Sequence, residues 1–331
     1  MLRLRNLSSL LCFASLVVLM SCGSAHDSDE HYYLIAANLQ VPYWDAASSG
    51  FIKAGDQMKV RADVSGPKNY DPKAERDAID EAVQKKAAGI LVDVTDAALL
   101  KDSINKAIAA GIPVITLDSD APDSKRLFFI GTNNYQVGLA GGRRLATELH
   151  GQGNVLVFTM PSQPNLQDRL RGYRDALAST GVKILREVDI QGDPRVTFDT
   201  TEASLSKQSK EKIDAYVCLE AQSGKEVANV LNTYHIKGKV VMAMDTDPET
   251  LGWIQKDVIA ATIAQKPYSM AFVGLQMLDN LHHHKPATLD PDWLKDSFAP
   301  IPSFVDTGSA LIDKANVGSY LQAKQSATAG H

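Results

Sequence analysis

Cysteine is scarce in this chain, with three among 331 residues. Cys12 and Cys22 lie near the start, so only Cys218 belongs to the part in which we expect a folded structure. Cys218 stands within the apolar run 215–219, which is typical of a buried strand. A disulfide framework is therefore excluded for the folded part, although proteins of oxidising compartments commonly contain one.

Positive charge is not in excess either. The chain has 34 Lys and Arg against 39 Asp and Glu, and its formal net charge is −5 at pH 7. Residues of the two signs are interleaved, and the sequence has no basic stripe of the kind that binds nucleic acid. Nucleic acid is therefore not expected as a partner.

Signatures of catalysis and of cofactor binding are missing as well. Gly224-Lys225 lacks the upstream glycine of a phosphate-binding loop. The stretch 46–50 resembles a nucleophile elbow but lies inside a predicted helix rather than at a strand-to-helix turn. The three histidines 282–284 are adjacent, so on a helix they point in three directions and cannot all bind one ion. Cations near a helix C-terminus are favourable in any case, which is a sufficient reason for histidines at this position. From these missing signatures we expect no enzyme, no cofactor and no metal site.

The N-terminus carries a mostly apolar run, Leu10–Met20, preceded by Arg3 and Arg5. This run is shorter than the about 20 apolar residues that cross a bilayer. A positive start followed by a short apolar run predicts a signal peptide over residues 1–21.

The stretch 19–23 resembles a bacterial lipobox, which implies that Cys22 is lipidated. The alternative is an ordinary cleavage site with an incidental cysteine. Residues 22–30 are small, polar and acidic, which is typical of a flexible tether. We expect a membrane-anchored lipoprotein in the periplasm or at the cell surface.

From residue 31 onward, short apolar runs alternate with amphipathic stretches. The candidate strands are 32–37, 89–94 and 112–117, and then, where the pattern restarts, 153–158, 215–219 and 239–244. Continuous apolar strands with helices between them predict parallel sheets covered on both faces. About 310 residues remain after the predicted signal peptide, more than one hydrophobic core accommodates. The sequence therefore predicts an α/β fold of two doubly wound lobes.

Ligands of such sheets bind outside the carboxyl ends of the strands. At these strand ends the chain resembles the ribose/galactose-type periplasmic sugar-binding proteins of ABC importers, the type I periplasmic binding proteins. The resemblance extends from Tyr32 to Tyr320. The stretches that carry it are Val41–Trp44, Val114–Asp118, Val240–Asp245, Ala260–Gln265, Val305–Gly308 and Lys314–Val317.

The resemblance implies two Rossmann-like lobes joined by three hinge crossings. We place the crossings near 132–133, 265–266 and 303–306. The N-terminal lobe would then comprise residues 31–132 and 266–304, and the C-terminal lobe residues 133–265 and 305–331. The segment 286–302 is rich in Pro and Asp and shows no clear periodicity.

The resemblance also implies which aromatic side chains contact a ligand. Tyr43 and Trp44 would pack against the apolar faces of a sugar ring, and Phe198 is the candidate for the opposing aromatic of the second lobe. Core packing or a hydrophobic staple is the alternative for each of them.

Polar contacts are expected from residues at the strand ends. Asp118 and Asp245 directly follow apolar strands, and a carboxylate there would accept sugar hydroxyls through charge-assisted bonds. The alternative is that both cap the helix that follows. Gln265, at a predicted hinge, would both donate and accept. Gln40 lies in a segment that departs from the family's pattern and is a further candidate.

Two departures from the family bear on the ligand. Gln167, close to the candidate contact Asn165, stands where the ribose-type proteins present an Arg, and Glu220 stands where they present an Asn. Arg169 is expected to be mainly structural, so the cleft would be short of positive charge. Because an unpaired buried carboxylate is costly, anionic ligands are disfavoured. A neutral polyhydroxy ligand fits, and a ligand with an amine stays open.

We therefore expect a monomeric solute-binding lipoprotein that captures a neutral monosaccharide or polyol and delivers it to an ABC permease. Presentation of the ligand to a chemoreceptor or sensor kinase is one alternative, and a non-carbohydrate solute is another. A glycoside hydrolase would need an acid–base pair, for which Asp118, Asp245 and Glu220 are the candidates. A transcription regulator is disfavoured because an export signal stands where a DNA-binding helix-turn-helix should be.

Overall fold

A computed structural model of the chain describes residues 26–329, apart from positions 28, 207, 287–288, 290–294 and 297. The predicted signal peptide and Cys22 lie outside the described residues, as do parts of the predicted tether and of the segment 286–302. In the part of the chain that is described, no helix has the length and apolarity needed to cross a membrane.

The first lobe is built from alternating strands and helices. They are β1 (His31–Ile35), α1 (Pro42–Met58), β2 (Arg61–Ser65), α2 (Pro72–Gln84), β3 (Gly89–Val92), α3 (Ala97–Ala109), β4 (Val114–Leu117) and β5 (Phe129–Gly131). After β10 of the second lobe, the chain returns to the first lobe and adds α9 (Pro267–His283) and β11 (Phe304–Asp306). The sheet has the order β11-β5-β4-β3-β1-β2, and its pairs are parallel.

The second lobe repeats this plan. Its elements are α4 (Asn134–Glu148), β6 (Gln152–Thr159), α5 (Pro164–Leu177), β7 (Gly181–Asp189), α6 (Pro194–Leu205), β8 (Ala215–Cys218), α7 (Ser223–Thr233), β9 (Val240–Met244), α8 (Pro248–Gln255), β10 (Ala261–Ala264), β12 (Ala310–Asp313) and α10 (Val317–Ala329). Its sheet has the order β12-β10-β9-β8-β6-β7, in which β12 alone runs antiparallel. The predicted class of two doubly wound α/β lobes is confirmed.

Each lobe has its own hydrophobic core. Within these cores, central strands such as β3, β4, β8 and β10 are buried along their whole length. Strands buried on both faces need apolar side chains at every position, and this requirement explains the continuous apolar runs of the sequence. Cys218 lies in one of these strands as a buried free thiol.

The chain passes between the lobes after β5, after β10 and after β11. The first two passages, at 132–133 and 265–266, separate elements of different sheets. The third comes after Asp306, two residues beyond the expected boundary at 304, because β11 pairs with β5 through Val305↔Ile130 and Asp306↔Gly131.

Helices α4 and α5 approach each other closely at glycines. A Cβ atom at Gly138 of α4 would lie 2.1 Å from the backbone carbonyl oxygen of Arg169 in α5. That distance is far below van der Waals contact, so any side chain here would push the two helices apart. Gly252 of α8 is the opposite case, since a Cβ there meets nothing within 4 Å.

We expect Gly138→Ala to lower the free energy of unfolding by about 1–3 kcal/mol, the usual cost of overpacking. The matched helical control, Gly252→Ala, should be neutral or stabilising by up to about 1 kcal/mol because alanine has the higher helix propensity. Urea unfolding followed by circular dichroism measures both. Equal effects of the two substitutions would contradict the close helix contact.

Candidate functional site

A cavity lies between the two lobes at the carboxyl ends of their strands. Its outer part has a volume of about 590 Å³, within the range of small-molecule sites. It continues into an inner part of about 80 Å³. In both sheets this edge includes the switch point, between β1 and β3 and between β6 and β8, where doubly wound folds bind ligands.

Two aspartates occupy equivalent positions on the two sides of the inner cavity. Asp118 follows β4 and Asp245 follows β9, and both have a left-handed backbone, with φ of 63° and 64°. Their backbone N–H groups donate to Ile130 (3.1 Å) and Ile263 (2.9 Å) of the neighbouring strands. The capping alternative is wrong for both. No helix follows Asp118 before β5, and α8 is capped by Asp247.

Asp118 is held from both lobes. The hydroxyl of Tyr43 donates to its Oδ1 at 2.6 Å, and Nδ2 of Asn165 donates to its Oδ2 at 3.3 Å from across the cavity. The ring of Trp44 meets that of Tyr43 edge-on, with centroids 5.3 Å apart. Trp44 is 5 % exposed and belongs to the core of the first lobe, so it lines the cavity and packs the core at once.

Arg169 supplies a buried positive charge to the same cavity. It is 2 % exposed, and its guanidinium donates to Asn134 Oδ1 (2.8 Å), the Leu219 carbonyl (2.7 Å) and Gln265 Oε1 (3.0 Å). Gln265 in turn donates from Nε2 to Asp245 Oδ1 at 3.0 Å. Gln265 therefore links the buried cation to Asp245.

Comparisons with known proteins agree with this geometry. The family model described as "Periplasmic binding protein domain" matches residues 32–286, about three quarters of the chain. The chain belongs to this family. The resemblance to the ribose/galactose-type members is confirmed by similar relatives, including the ribose import binding protein of Bacillus subtilis. That protein is 20 % identical over 255 residues, covering 76 % of this chain and 81 % of the relative.

Solved structures of family members superpose over most of the chain. An ABC transporter solute-binding protein from Burkholderia graminis, in complex with D-arabinose, is 25 % identical with a TM-score of 0.80. The match covers 89 % of this chain and 99 % of that chain. A sugar-binding protein of a sugar ABC transporter from Bacillus halodurans is 31 % identical with a TM-score of 0.74, covering 88 % and 99 %.

The expectation that the cleft lacks an arginine is wrong. Gln167 does not line the cavity: its side-chain amide donates to the carbonyl of Pro161, and it faces a separate surface depression. Residues 165 and 169 are four apart and share one face of α5, whereas residue 167 is rotated by roughly 200° from residue 165. Arg169 therefore lies at the cavity position that the sequence analysis assigned to Gln167.

Phe198 and Gln40 are not brought to the inner cavity. Phe198 is half-buried on α6 and lines neither part of the cavity, and Gln40 lies in the outer part, exposed to solvent. Tyr70 of the first lobe is an aromatic residue that does contact the second lobe. Its hydroxyl lies 2.9 Å from Oγ of Ser162 and donates to the Thr95 carbonyl at 3.2 Å.

Glu220 lines the inner cavity but is engaged by the backbone. Its two carboxylate oxygens accept the N–H groups of Gln222 and Ser223, both at 2.7 Å, at the start of α7. This arrangement satisfies N–H groups that have no partner within the helix. Each oxygen of Glu220 therefore has one partner, as does each oxygen of Asp118, but the partners of Glu220 are backbone N–H groups.

Asp93 is a cavity residue that the sequence analysis missed. It directly follows β3, lines the inner cavity, and accepts the N–H of Ser119 at 3.1 Å. Asp93 stands inside the apolar run 89–94, which is typical of a buried strand. The presence of a charged residue in such a run was the sequence signal that could have identified it as a cavity residue.

Burial raises the pKa of each cavity aspartate. The pKa of Asp245 rises to about 7, and the pKa of Asp118 rises for the same reason, while the nearby Arg169 charge opposes both shifts. The pKa of Asp93 is raised well above its ordinary value by burial, then by the charges of Asp118 and Glu75. The inner part of the cavity thus gathers more carboxyl groups than its single guanidinium neutralises, and these groups favour partners that donate hydrogen bonds.

The raised pKa of Asp245 predicts a pH dependence of stability. Below about pH 4 the carboxyl is protonated in both the folded and unfolded states, and between about 4 and 7 the folded state keeps a proton that the unfolded chain releases. The free energy of unfolding therefore falls as the pH rises from about 4 to 7, because the contribution of the protonated Asp245 is lost. In Asp245→Asn the melting temperature should fall less between pH 4 and 7 than in the unaltered protein.

The control for this experiment is Asp199→Asn, because Asp199 is exposed on α6. Its melting temperature should follow the unaltered protein across the same pH range. A pH slope in Asp245→Asn equal to that of the control would show that Asp245 does not hold the additional proton.

Proposed function

We propose that this chain is an extracytoplasmic solute-binding protein that captures a neutral monosaccharide or polyol between its lobes and delivers it to an ABC permease. The observation that carries the proposal is the group of carboxyls Asp93, Asp118 and Asp245 beside the rings of Tyr43 and Trp44. Carboxylates accept hydrogen bonds from hydroxyl groups, and aromatic rings suit the apolar faces of a sugar. Relatives in complex with D-arabinose or named for ribose import support the same ligand class.

An anionic ligand fits this cavity poorly despite the presence of Arg169. The guanidinium is already bonded to Asn134, Leu219 and Gln265, and it lies near enough to Asp118 and Asp245 to lower the pKa of each. In the inner part of the cavity, an incoming carboxylate would add negative charge where carboxyl groups already outnumber the one cation. A hydroxyl ligand adds donors without adding charge.

Ligand capture on this proposal uses closure of the lobes. The hydrogen bonds Asn165–Asp118 and Tyr70–Ser162 join the two lobes across the cavity. A Cβ at Gly192 would lie 2.3 Å from the Tyr70 side chain, so this glycine permits the close approach. We assign the hinge to the three passages between the lobes, because a ligand-driven hinge motion needs only a few backbone angles to change.

The membrane attachment belongs to the same proposal. A signal peptide over residues 1–21 and a lipidated Cys22 would tether the protein outside the cytoplasm as a monomer. Radioactive palmitate should label the protein expressed in bacteria, and Cys22→Ser should abolish the label and release the protein from the membrane fraction. Equal labelling of both forms would refute lipidation at Cys22.

A thermal-shift screen tests the ligand class. Neutral pentoses, hexoses and polyols are compared with amino sugars and uronic acids, the pentoses first because of the relatives. A ligand at about a thousand times its Kd adds about 4 kcal/mol to the free energy of unfolding, which raises Tm by several degrees. We expect shifts with a few neutral sugars or polyols. Shifts confined to uronic acids, or hydrolysis of chromogenic glycosides, would overturn the proposal, and shifts only with amines would change its ligand class.

Substitution at the cavity separates contact residues from neighbours. Asp118→Asn replaces a charged acceptor by a neutral one, and a bond to a charged group contributes about 1.5–3 kcal/mol, so affinity for the identified sugar should fall roughly 10- to 100-fold. Gln167→Ala, on the same helix as Asn165 but outside the cavity, should leave affinity unchanged. Isothermal titration calorimetry measures both. A large loss in Gln167→Ala with none in Asp118→Asn would contradict the assignment.

A further inference from the structure

Four potential metal ligands meet at the edge of the first lobe opposite the cavity. Glu30 directly precedes β1, and His26 lies four residues before Glu30. Asp279 and His283 lie in the last turns of α9. One imidazole nitrogen or carboxylate oxygen from each lies within 4.8 Å of the other three. No other such group of His, Cys, Asp and Glu occurs among the described residues.

The distances between the ligand atoms of this cluster suit a small ion with tetrahedral coordination. His26 Nε2 lies 3.0 Å from Asp279 Oδ1, His283 Nε2 lies 3.1 Å from Glu30 Oε2, and His283 Nε2 lies 3.6 Å from Asp279 Oδ1. Four ligands at the usual zinc bond lengths of about 2.0–2.2 Å stand roughly 3.3–3.6 Å apart in a tetrahedron. Small side-chain rotations would therefore place all four atoms around one ion.

Both carboxylates are oriented by groups outside the cluster. The Tyr32 hydroxyl donates to Asp279 Oδ1 at 3.1 Å, and the backbone N–H of Asp27 donates to Glu30 Oε1 at 2.7 Å. Glu30 is only 7 % exposed, so its charge needs a partner close by. Oriented outer partners of this kind are a regular feature of protein metal sites, where they hold the ligands in position.

The donor set discriminates between ions. Two imidazoles with two carboxylates form a mixed nitrogen and oxygen set that suits Zn²⁺ and its neighbours in the first transition row. Ca²⁺ takes six to eight oxygen ligands and Mg²⁺ an octahedron of oxygens, which this cluster does not offer. A divalent cation would also balance the two negative charges of Glu30 and Asp279.

We infer that His26, Glu30, Asp279 and His283 form a Zn²⁺ site that fastens the segment before β1 to the end of α9. The argument that residues 282–284 cannot all bind one ion still holds, because His282 and His284 lie outside the cluster. The structure adds ligands from a distant part of the chain to His283 alone. The inference is independent of the proposed function, since the cluster lies at the opposite edge of the sheet from the cavity.

The test is a zinc titration of residues 23–331, which include every residue that the structure describes, prepared without a histidine tag. Competition with a chromogenic chelator should give one Zn²⁺ per chain, with Ca²⁺ and Mg²⁺ failing to compete. His283→Ala and Asp279→Asn should each weaken zinc binding at least about tenfold, since even outer partners of metal ligands contribute 10- to 100-fold. The matched control is His284→Ala, which removes an exposed imidazole from the residue directly after the same helix.

Two further measurements keep the outcome decisive. Melting curves in a chelator show whether each variant folds, and His283 lies at the exposed end of α9, so its replacement should leave the fold intact. Co²⁺ in place of Zn²⁺ should give the strong visible absorption of tetrahedral coordination in the unaltered protein and lose it in His283→Ala. An absence of zinc binding, or equal affinities in His283→Ala and His284→Ala, would overturn the inference.

Discussion

The buried guanidinium of Arg169 ties together the residues of the second lobe that stand at two of its passages to the first lobe, and the inner cavity is built around it. Its three hydrogen bonds reach Asn134 at the start of α4, the carbonyl of Leu219 after β8, and Gln265 between β10 and α9. Two of these partners stand at passages of the chain between the lobes. Because a buried cation is stable only when its donors are satisfied, the segments that supply the acceptors are held in fixed relative positions.

Arg169 also sets the electrostatics of the cavity. Burial is the main cause that raises the pKa values of Asp118 and Asp245, and the guanidinium lowers them part of the way back. The resulting surface has acceptors in excess of donors, and hydroxyl groups of a ligand would supply the missing hydrogen bonds. The link through Gln265 means that the acceptor Asp245 and the passage at 265–266 share one hydrogen-bonded chain.

The two edges of the first sheet carry different chemistry. The carboxyl edge gathers the cavity aspartates Asp93 and Asp118, which follow β3 and β4. The amino edge gathers Glu30 and the end of α9, where Asp279 and His283 lie. Helix α9 starts next to Gln265 and ends at the cluster of four potential metal ligands, so it spans the lobe from one edge of the sheet to the other. Parallel strands make this separation inevitable, since all of their carboxyl ends meet at one edge.

The sequence by itself determined the class of fold and much of the site. Continuous apolar runs require strands buried on both faces, and the alternation with amphipathic helices predicted two doubly wound lobes. Asp118 and Asp245 were predicted because each follows a strand, and strand ends meet ligands in this architecture. Tyr43 was predicted from the resemblance to the family. Tertiary structure alone decided the rest, because it depends on helix rotation and on contacts between distant segments. The rotation of α5 placed Arg169 rather than Gln167 at the cavity. Only the folded chain brought His26 to within hydrogen-bonding distance of Asp279, across more than 250 residues of sequence.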